Sequence, residues 1–383
     1  MNPIRIALVS ETLEPSGGGA KDIALLFKSF DRTAFQPHVV TPRNVDPWME
    51  LYGIQKESVS RADLKDADAV AKALQGTDVV LVLVGTGHQK EEYEAVMAGA
   101  DRVGVKVKIL RIVFGLGAPN PKDADLFLTS SMDSFLTGTP CRGCHVVYPS
   151  LPSKDQVLHA RLMWRQVYGI KENDFVIGYA CADHRREFYD TAWVWKRNHP
   201  EFGTFLSALG PHHEFENVPD NVRYCGILKQ YQMGGLYETS DVIVHTRTES
   251  FGYAPYQAMA HGVPVVALWT NSKNAFSEAM YPDGGYLARD VNGLYDALEH
   301  VRKHPEEAKE RARIAKTRVQ LLEPPASSRR IQTLIYETLR LKGFSNLPPE
   351  PPPSNKYITD VDLQWWAEKR REIVAALGLR SFI

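Results

Sequence analysis

The chain has 383 residues, with 45 lysines and arginines against 46 acidic residues and a formal net charge of −1. This balance excludes a nucleic-acid binder that works through a basic surplus and an acidic disordered chain, and four cysteines in such a length exclude a disulfide scaffold. A content of 44% hydrophobic and 24% charged residues is globular, the length suits about two domains, and the longest apolar runs, residues 79–84 and 263–269, fall short of the roughly 18 residues of a membrane span.

The amino terminus, Met-Asn-Pro-Ile-Arg-Ile-Ala-Leu-Val, is too strand-like for a secretory signal, which points to a cytoplasmic protein. Residues 4–9 form an apolar run that ends in a glycine-rich turn, Ser16-Gly17-Gly18-Gly19. Residues 20–30 follow with Ile23, Leu26, Phe27 and Phe30 at helical spacing. Residues 37–41 predict a strand, 46–63 are weakly patterned, and 66–74 predict a helix. Residues 79–84 read as a strand buried on both faces. Strands are expected again at 105–114, 126–130 and 144–148. This alternation predicts a parallel sheet covered by helices on both sides.

Residues 148–153, Tyr-Pro-Ser-Leu-Pro-Ser, read as a linker, after which the pattern restarts. Strands are predicted at 175–181, 202–209, 222–226, 242–245 and 263–268, with helices at 188–198, 293–303 and 306–322. Pro324-Pro325 breaks the chain before a last long helix at 327–341. Residues 348–353 form a polyproline spacer. A short helix follows, capped by Thr359 or Asp360 and carrying Trp365, Trp366 and Lys369-Arg370-Arg371. Such a helix docks on its own protein through the tryptophans or lies weakly on an anionic membrane surface; docking is the preferred reading.

The most informative segment is residues 240–268, SDVIVHTRTESFGYAPYQAMAHGVPVVAL. A strand leads to a loop with Glu249, and a helix begins near Gly252 with Pro255 in its first turn. Gln257 follows Glu249 after seven residues, and Gly262-Val263-Pro264 closes the helix. A helix N-terminus beyond a parallel strand suits an anion, and Glu249 and Gln257 suit sugar hydroxyls on either side of a phosphate. An ordinary strand–helix–strand unit with an exposed Glu has the same spacing.

The segment resembles the signature of the retaining glycosyltransferases of the GT-B fold, glycosyltransferase family 4. Glu249, Phe251-Gly252, Ala258-Met259-Ala260, Gly262 and Pro264-Val265-Val266 stand in register with it. The likeness extends over residues 3–342 and leaves out the proline-rich tail. It implies an α/β protein of GT-B fold with two Rossmann-like domains facing across a cleft. The N-terminal acceptor domain would span 1–150, and the C-terminal nucleotide-sugar domain 151–323. A helix within 324–345 would cross back to the first domain, followed by the tail, 346–383.

The resemblance also implies roles. Glu249 contacts the donor sugar, and the amides of Phe251 and Gly252 face the sugar and its phosphate. Gln257 takes the ribose position, where the family carries an acid; an amide there loses charge assistance. Gly18 and Gly19 lie near the donor diphosphate. Within Ala182-Asp183-His184-Arg185-Arg186, either Arg185 or Arg186 matches the family's diphosphate-binding cation, and the partner arginine expected nearby is replaced by Cys181 or Ala182. His88, in Gly85-Thr86-Gly87-His88, is a candidate near the reacting sugar; a surface histidine is the plainer reading. The expected activity is metal-independent, hexosyltransferase-like transfer from a nucleoside-diphosphate sugar to a glycan or other hydroxyl acceptor, with no cofactor.

Other features read as decoys. Cys141-Arg142-Gly143-Cys144-His145 matches a haem-attachment pattern but lies in a strand context. Asp66-Ala67-Asp68 and Asp123-Ala124-Asp125 do not follow apolar strands as a metal-binding Asp-x-Asp requires. Two rival functions stay open: another GT-B enzyme, such as a sugar-nucleotide 2-epimerase, and a non-catalytic GT-B-like glycan- or partner-binding protein.

Overall fold

The computed structural model describes residues 2–11, 18–42, 53–84, 90–112, 124–137, 144–151, 160–181, 186–208, 218–226, 228, 230–249, 251–269, 274–322, 326–352 and 360–379. The chain divides into two compact units. Unit 1 comprises Met1–Pro152 and Leu322–Trp365, and unit 2 comprises Ser153–Leu321 and Trp366–Ile383.

Unit 1 is built on a parallel sheet of β1 (Ile4–Val9), β2 (Phe35–Thr41), β3 (Val59–Arg61), β4 (Val79–Val84), β5 (Val107–Ile112), β6 (Leu126–Thr129) and β7 (Cys144–Val146), ordered β3-β2-β1-β4-β5-β6-β7. Helices α1 (Gly18–Ser29), α2 (Ala67–Ala73), α3 (Lys90–Arg102) and α4 (Met132–Thr137) connect the strands. Val79, Val80 and Leu81 of β4 are all 0% exposed. Consecutive buried residues require cover on both faces, which is why the run lacks alternation. Ile6 pairs with Val79 and Leu8 with Leu81, so β1 and β4 form the centre of the sheet. The decoy aspartates have structural work here. Asp66 caps α2 by accepting from the amides of Asp68 (2.9 Å) and Ala69 (3.3 Å). Asp125 accepts from the Lys108 amide at 2.8 Å and pairs with Lys342 at 2.7 Å.

Unit 2 repeats the plan with β8 (Val176–Tyr179), β9 (Thr204–Ser207), β10 (Val222–Tyr224), β11 (Val242–His245), β12 (Val265–Leu268) and β13 (Tyr286–Ala288), ordered β10-β9-β8-β11-β12-β13. Its helices are α5 (Ala160–Val167), α6 (Arg186–Asn198), α7 (Gln230–Thr239), α8 (Tyr253–His261), α9 (Ser277–Met280), α10 (Val291–Lys303) and α11 (Pro305–Val319). Aromatic rings fasten α6 to the sheet: Tyr179 stacks on Phe188 at 4.1 Å and Phe175 on Trp195 at 5.5 Å. The Trp195 indole N–H donates to the Phe202 carbonyl at 2.9 Å, so the buried ring leaves no orphaned donor.

Two helices follow unit 2 in the chain. In α12 (Ala326–Leu341), Ile331, Leu334, Ile335 and Leu339 form a stripe no more than 2% exposed. This helix packs in unit 1, where the Ser328 hydroxyl donates to the Ser29 carbonyl at 2.9 Å and Tyr336 meets Phe35 edge-on at 5.8 Å. Beside it, the Leu151 amide donates to the Leu322 carbonyl at 2.8 Å. The Tyr336 hydroxyl donates to the Pro348 and Pro349 carbonyls at 3.0 and 3.1 Å, which holds the start of the polyproline spacer.

In α13 (Asp360–Ala376), Trp366, Arg370, Ile373 and Val374 share one face and are 0%, 1%, 1% and 7% exposed. The Arg370 guanidinium sits over the Trp269 ring at 5.1 Å, in unit 2. Trp366 and Arg370 are therefore turned into protein, as the preferred docking reading expected of the tail helix, while Trp365 is 43% exposed. No helix among the described residues is long and apolar enough to cross a membrane.

Strands β3 and β13 and helices α3, α4, α5, α7 and α9 have no counterpart among the sequence-predicted elements. The α3 sequence, KEEYEAVMAGADR, spends its polar residues on an exposed face, and β13 is only Tyr-Leu-Ala. Tyr93, Val96, Met97 and Ala100 of α3 stand at i, i+3, i+4 and i+7 and are buried, a helical period that the reading passed over, whereas three residues of β13 are too few to show one.

Candidate functional site

Both sheets reverse their strand order once, between β1 and β4 in unit 1 and between β8 and β11 in unit 2. In an open parallel sheet, the two connections that leave such a point depart to opposite faces, which opens a crevice beyond the carboxyl ends of the strands.

In unit 2, β11 ends at His245, and the chain runs through Thr246 and Arg247 to Glu249. The Tyr179 hydroxyl, at the end of β8, lies 3.3 Å from the Thr246 hydroxyl, tying the two strands together at the reversal. Glu249 forms a parallel bridge to Asn274, and its carbonyl accepts from the Ala275 amide at 3.1 Å. Its carboxylate lies 3.7 Å from the Arg247 guanidinium, with the Glu249 side chain 19% exposed.

Gly252 then takes φ 84°, a left-handed conformation that favours glycine, and becomes the N-cap of α8. The Phe251 ring is buried, stacked on Tyr256 at 4.4 Å and edge-on to Tyr253 at 5.0 Å. What Phe251 offers a ligand is therefore its backbone. Pro255 in the first turn removes one donor that would lack an intrahelical partner in any case. Gln257 is 5% exposed, and its carbonyl oxygen accepts from the Tyr237 hydroxyl at 3.4 Å. Burial drives the Tyr237 hydroxyl well above the ordinary tyrosine range, so it stays a donor.

Arg186 opens α6 just beyond β8, its side chain 83% exposed and 3.5 Å from Asp190. A cation in the first turn opposes the helix dipole, so this placement is not one that helix stability selects.

In unit 1, Gly18 and Gly19 open α1. A Cβ added at Gly19 would come within 2.6 Å of the Leu83 side chain, so the backbone of α1 at Gly19 packs closely on β4. Lys21 follows in the first turn, where burial pulls its ammonium down to about 8. Asp22, next along, forms an ion pair with Arg111 of β5, the side chains 3% and 0% exposed. A small, water-sized recess at the strand reversal is lined by Val9, Ser10, Glu11, Leu83 and Glu92, among others. Burial, and then the nearby Glu11 carboxylate, push the Glu92 carboxyl up.

The described sequence-predicted residues thus form two groups: Arg186, Glu249, Phe251, Gly252 and Gln257 in unit 2, and Gly18 and Gly19 in unit 1. His88, Arg185 and Cys141 lie outside the described residues. The reading from sequence missed Tyr237, Asn274 and the Asp22–Arg111 pair. Asp22 and Arg111 stand 89 positions apart, and no local spacing marks them as partners.

Residues 203–304 match the family described as Glycosyl transferases group 1, a stretch that holds Glu249, Phe251, Gly252 and Gln257. A search of the curated proteins returned no match. Solved structures similar to this chain include Anabaena HepE in complex with UDP and glucose, at 15% identity and TM-score 0.70, covering 87% of this chain and 100% of that one. Sucrose-phosphate synthase from Thermosynechococcus elongatus is 15% identical with TM-score 0.65, covering 88% and 100%. UDP-GlcNAc 2-epimerase from Neisseria meningitidis, bound to UDP-GlcNAc, is 15% identical with TM-score 0.55, covering 89% and 100%. At these identities the likeness is one of fold. The chain is an α/β protein of GT-B fold with two Rossmann-like units, and the segment of unit 2 that carries Glu249 matches the group 1 glycosyl transferases.

Proposed function

We propose that the protein is a retaining glycosyltransferase that moves a sugar from a nucleoside-diphosphate sugar to an acceptor hydroxyl, without a metal or other cofactor. The reading is supported by the placement of Glu249 and the N-terminus of α8 at the strand reversal of unit 2, inside the matched segment. Backbone amides at Phe251 and Gly252 take the donor phosphate, aided by the positive end of α8. Glu249 holds donor-sugar hydroxyls, Gln257 takes the ribose, and Arg186, with Arg185 beside it, stabilises the departing diphosphate. As charge develops on the leaving phosphate, that oxygen takes the acceptor's proton on the same face of the sugar, which retains the anomeric configuration. The acceptor is assigned to unit 1, where Gly18 and Gly19 open α1 near the donor diphosphate.

A thermal-shift panel of nucleoside diphosphates and their sugars, with and without EDTA, tests donor binding, because a bound ligand raises apparent stability by mass action. Product analysis of the best donor with candidate acceptors then tests transfer. Strict metal dependence, or an epimerised sugar nucleotide formed with no acceptor, would sink the proposal. A non-catalytic nucleotide-sugar binder is the second reading, favoured by an amide at Gln257 where the resembled family carries an acid; saturable binding with neither transfer nor donor hydrolysis would establish it.

A further inference from the structure

Tyr237 of α7 lies across one face of α8 and touches it twice. Its ring meets the His261 ring at 5.2 Å, and its hydroxyl meets the Gln257 carbonyl oxygen at 3.4 Å. Gln257 and His261 stand one turn apart on the helix, at i and i+4, so a single tyrosine reaches both. The His261 imidazole also lies 3.7 Å from the carboxylate of Glu238, the next residue of α7, which holds the two helices together at this point.

Burial settles which end of the Gln257 amide faces Tyr237. Tyr237 is 0% exposed, and burial keeps its hydroxyl protonated. A buried hydroxyl proton needs an acceptor, and among the described residues this one has a single partner, Gln257. The NH2 end of an amide only donates, so Oε1 is the end turned to Tyr237. Nε2 is left as the donor on the outer side, at the part of this 5% exposed residue that solvent reaches, with no protein partner among the described residues.

A carboxylate at this place would be acceptor-only and would need the protons of ribose hydroxyls. Its hold on a ribose would be charge-assisted, and a deoxyribose would leave a largely buried anion short of a donor. Gln257 sets other terms. Its acceptor is already engaged by Tyr237, and the group it presents is a donor. A ribose hydroxyl can accept from Nε2, but the absence of that hydroxyl strands nothing, because water can take its place there.

We propose, on the reading of Gln257 as the ribose residue, that the donor site accepts deoxyribonucleoside-diphosphate sugars nearly as well as their ribonucleoside counterparts. Tyr237 is the positioning residue for this tolerance: it holds the Gln257 amide with the donor outward.

Calorimetric titration of the full chain at pH 8 tests this with matched ribo-, 2′-deoxy- and 3′-deoxynucleoside diphosphates of the base chosen by the thermal-shift panel. For the parent, both deoxy analogues should bind within about threefold of the ribonucleotide. Gln257→Glu supplies a charged acceptor and should open a preference for the ribonucleotide of about tenfold or more over at least one analogue. Tyr237→Phe keeps the ring against His261 and bares Oε1, so it should open the same preference by about threefold or more, which keeps the test readable if Gln257→Glu folds poorly. A parent preference for the ribonucleotide of about tenfold or more overturns the proposal and leaves Gln257 at the ribose. Tolerance that neither substitution alters overturns the assignment of Gln257 to the ribose, and the proposal with it.

Discussion

Asp22 and Arg111 form an ion pair in the interior of unit 1, the Arg111 Nη2 lying 3.2 Å from the Asp22 carboxylate and neither side chain more than 3% exposed. It joins the first turn of α1, which carries Gly18 and Gly19, to β5 across the sheet face. Removing one partner strands a charge away from water. Arg111→Leu or Asp22→Ala alone should cost about 3–5 kcal/mol of unit 1 stability, and the double substitution clearly less than the sum. Urea unfolding followed by a probe confined to unit 1 checks this; additive losses would show that the two groups are not energetically paired.

Glu249→Ala should slow transfer by about 2–4 kcal/mol in activation free energy while affinity for the bare nucleoside diphosphate stays nearly constant. In the proposed function, the lost contacts are to the sugar and tighten in the transition state. An exposed loop glutamate without a ligand would change rate and stability by less than about 0.5 kcal/mol. Turnover, nucleotide affinity and melting temperature measured on one variant separate the two cases.

At Arg186, the proposed diphosphate role and helix stability make opposite demands. Arg186→Ala removes an exposed cation from the start of α6, which should leave stability unchanged or raise it by a few tenths of a kcal/mol, about the scale of a surface dipole effect. Nucleoside-diphosphate affinity should fall about tenfold through the lost charge-assisted contact. Calorimetric titration beside a melting curve reads both, and equal affinity in the variant would leave the diphosphate role to other groups.

Gln257→Glu should make nucleotide affinity depend on pH. The Tyr237 hydroxyl continues to donate to the new side chain, and an ionised carboxylate accepts more strongly from ribose hydroxyls than an amide does. Burial raises the pKa of the new carboxyl, so its charged form is present above that raised value and lost below it. Affinity should match or exceed the parent at pH 8 and drop on acidification, whereas Gln257 itself contributes no such slope. An acid-side gain in the variant would show that its neighbour is an anion.

His38 of β2 should mark the acid limit of unit 1. Burial, and then the Arg5 cation, pull its imidazole down to about 4, and its Nε2 has no hydrogen-bond partner among the described residues. The unfolded chain protonates near 6.5, above the folded value, so it binds more protons throughout that interval. The stabilisation is complete above about pH 6.5 and is lost as pH falls toward 4, by about 1–3 kcal/mol. Urea unfolding at pH 7.5 and 5 should show the loss, and His38→Gln should flatten it.

Local pattern carried much of this architecture. The run at residues 79–84 identified a doubly covered strand, and the spacing from Glu249 to Gln257, with Gly252 between, marked a strand–loop–helix junction before any pairing was known. Such features are legible because the atoms that enforce them are neighbours in sequence. Asn274 opposite Glu249, Arg370 on Trp269 and Arg111 on Asp22 are pairings between distant positions, and single residues of ordinary type announce none of them. The tail displays the boundary: Trp366 and Arg370 at i and i+4 read as one helix face, while the surface that receives the face depends on the folded sheet.

The hydrogen bond between Leu151 and Leu322 brings the outgoing and returning chain side by side where unit 1 gives way to unit 2. Viewed from unit 1, the whole span between them is a cargo inserted at one pair of adjacent backbone positions. A polypeptide cut at residue 152 forfeits the apolar stripe of α12 and leaves its docking face on unit 1 bare. A short loop joining Leu151 directly to Leu322, with the chain ended before α13, whose buried face belongs to unit 2, would instead excise the cargo and keep that stripe. The same pair of positions is where another domain of suitable end spacing can be spliced in without breaking a strand.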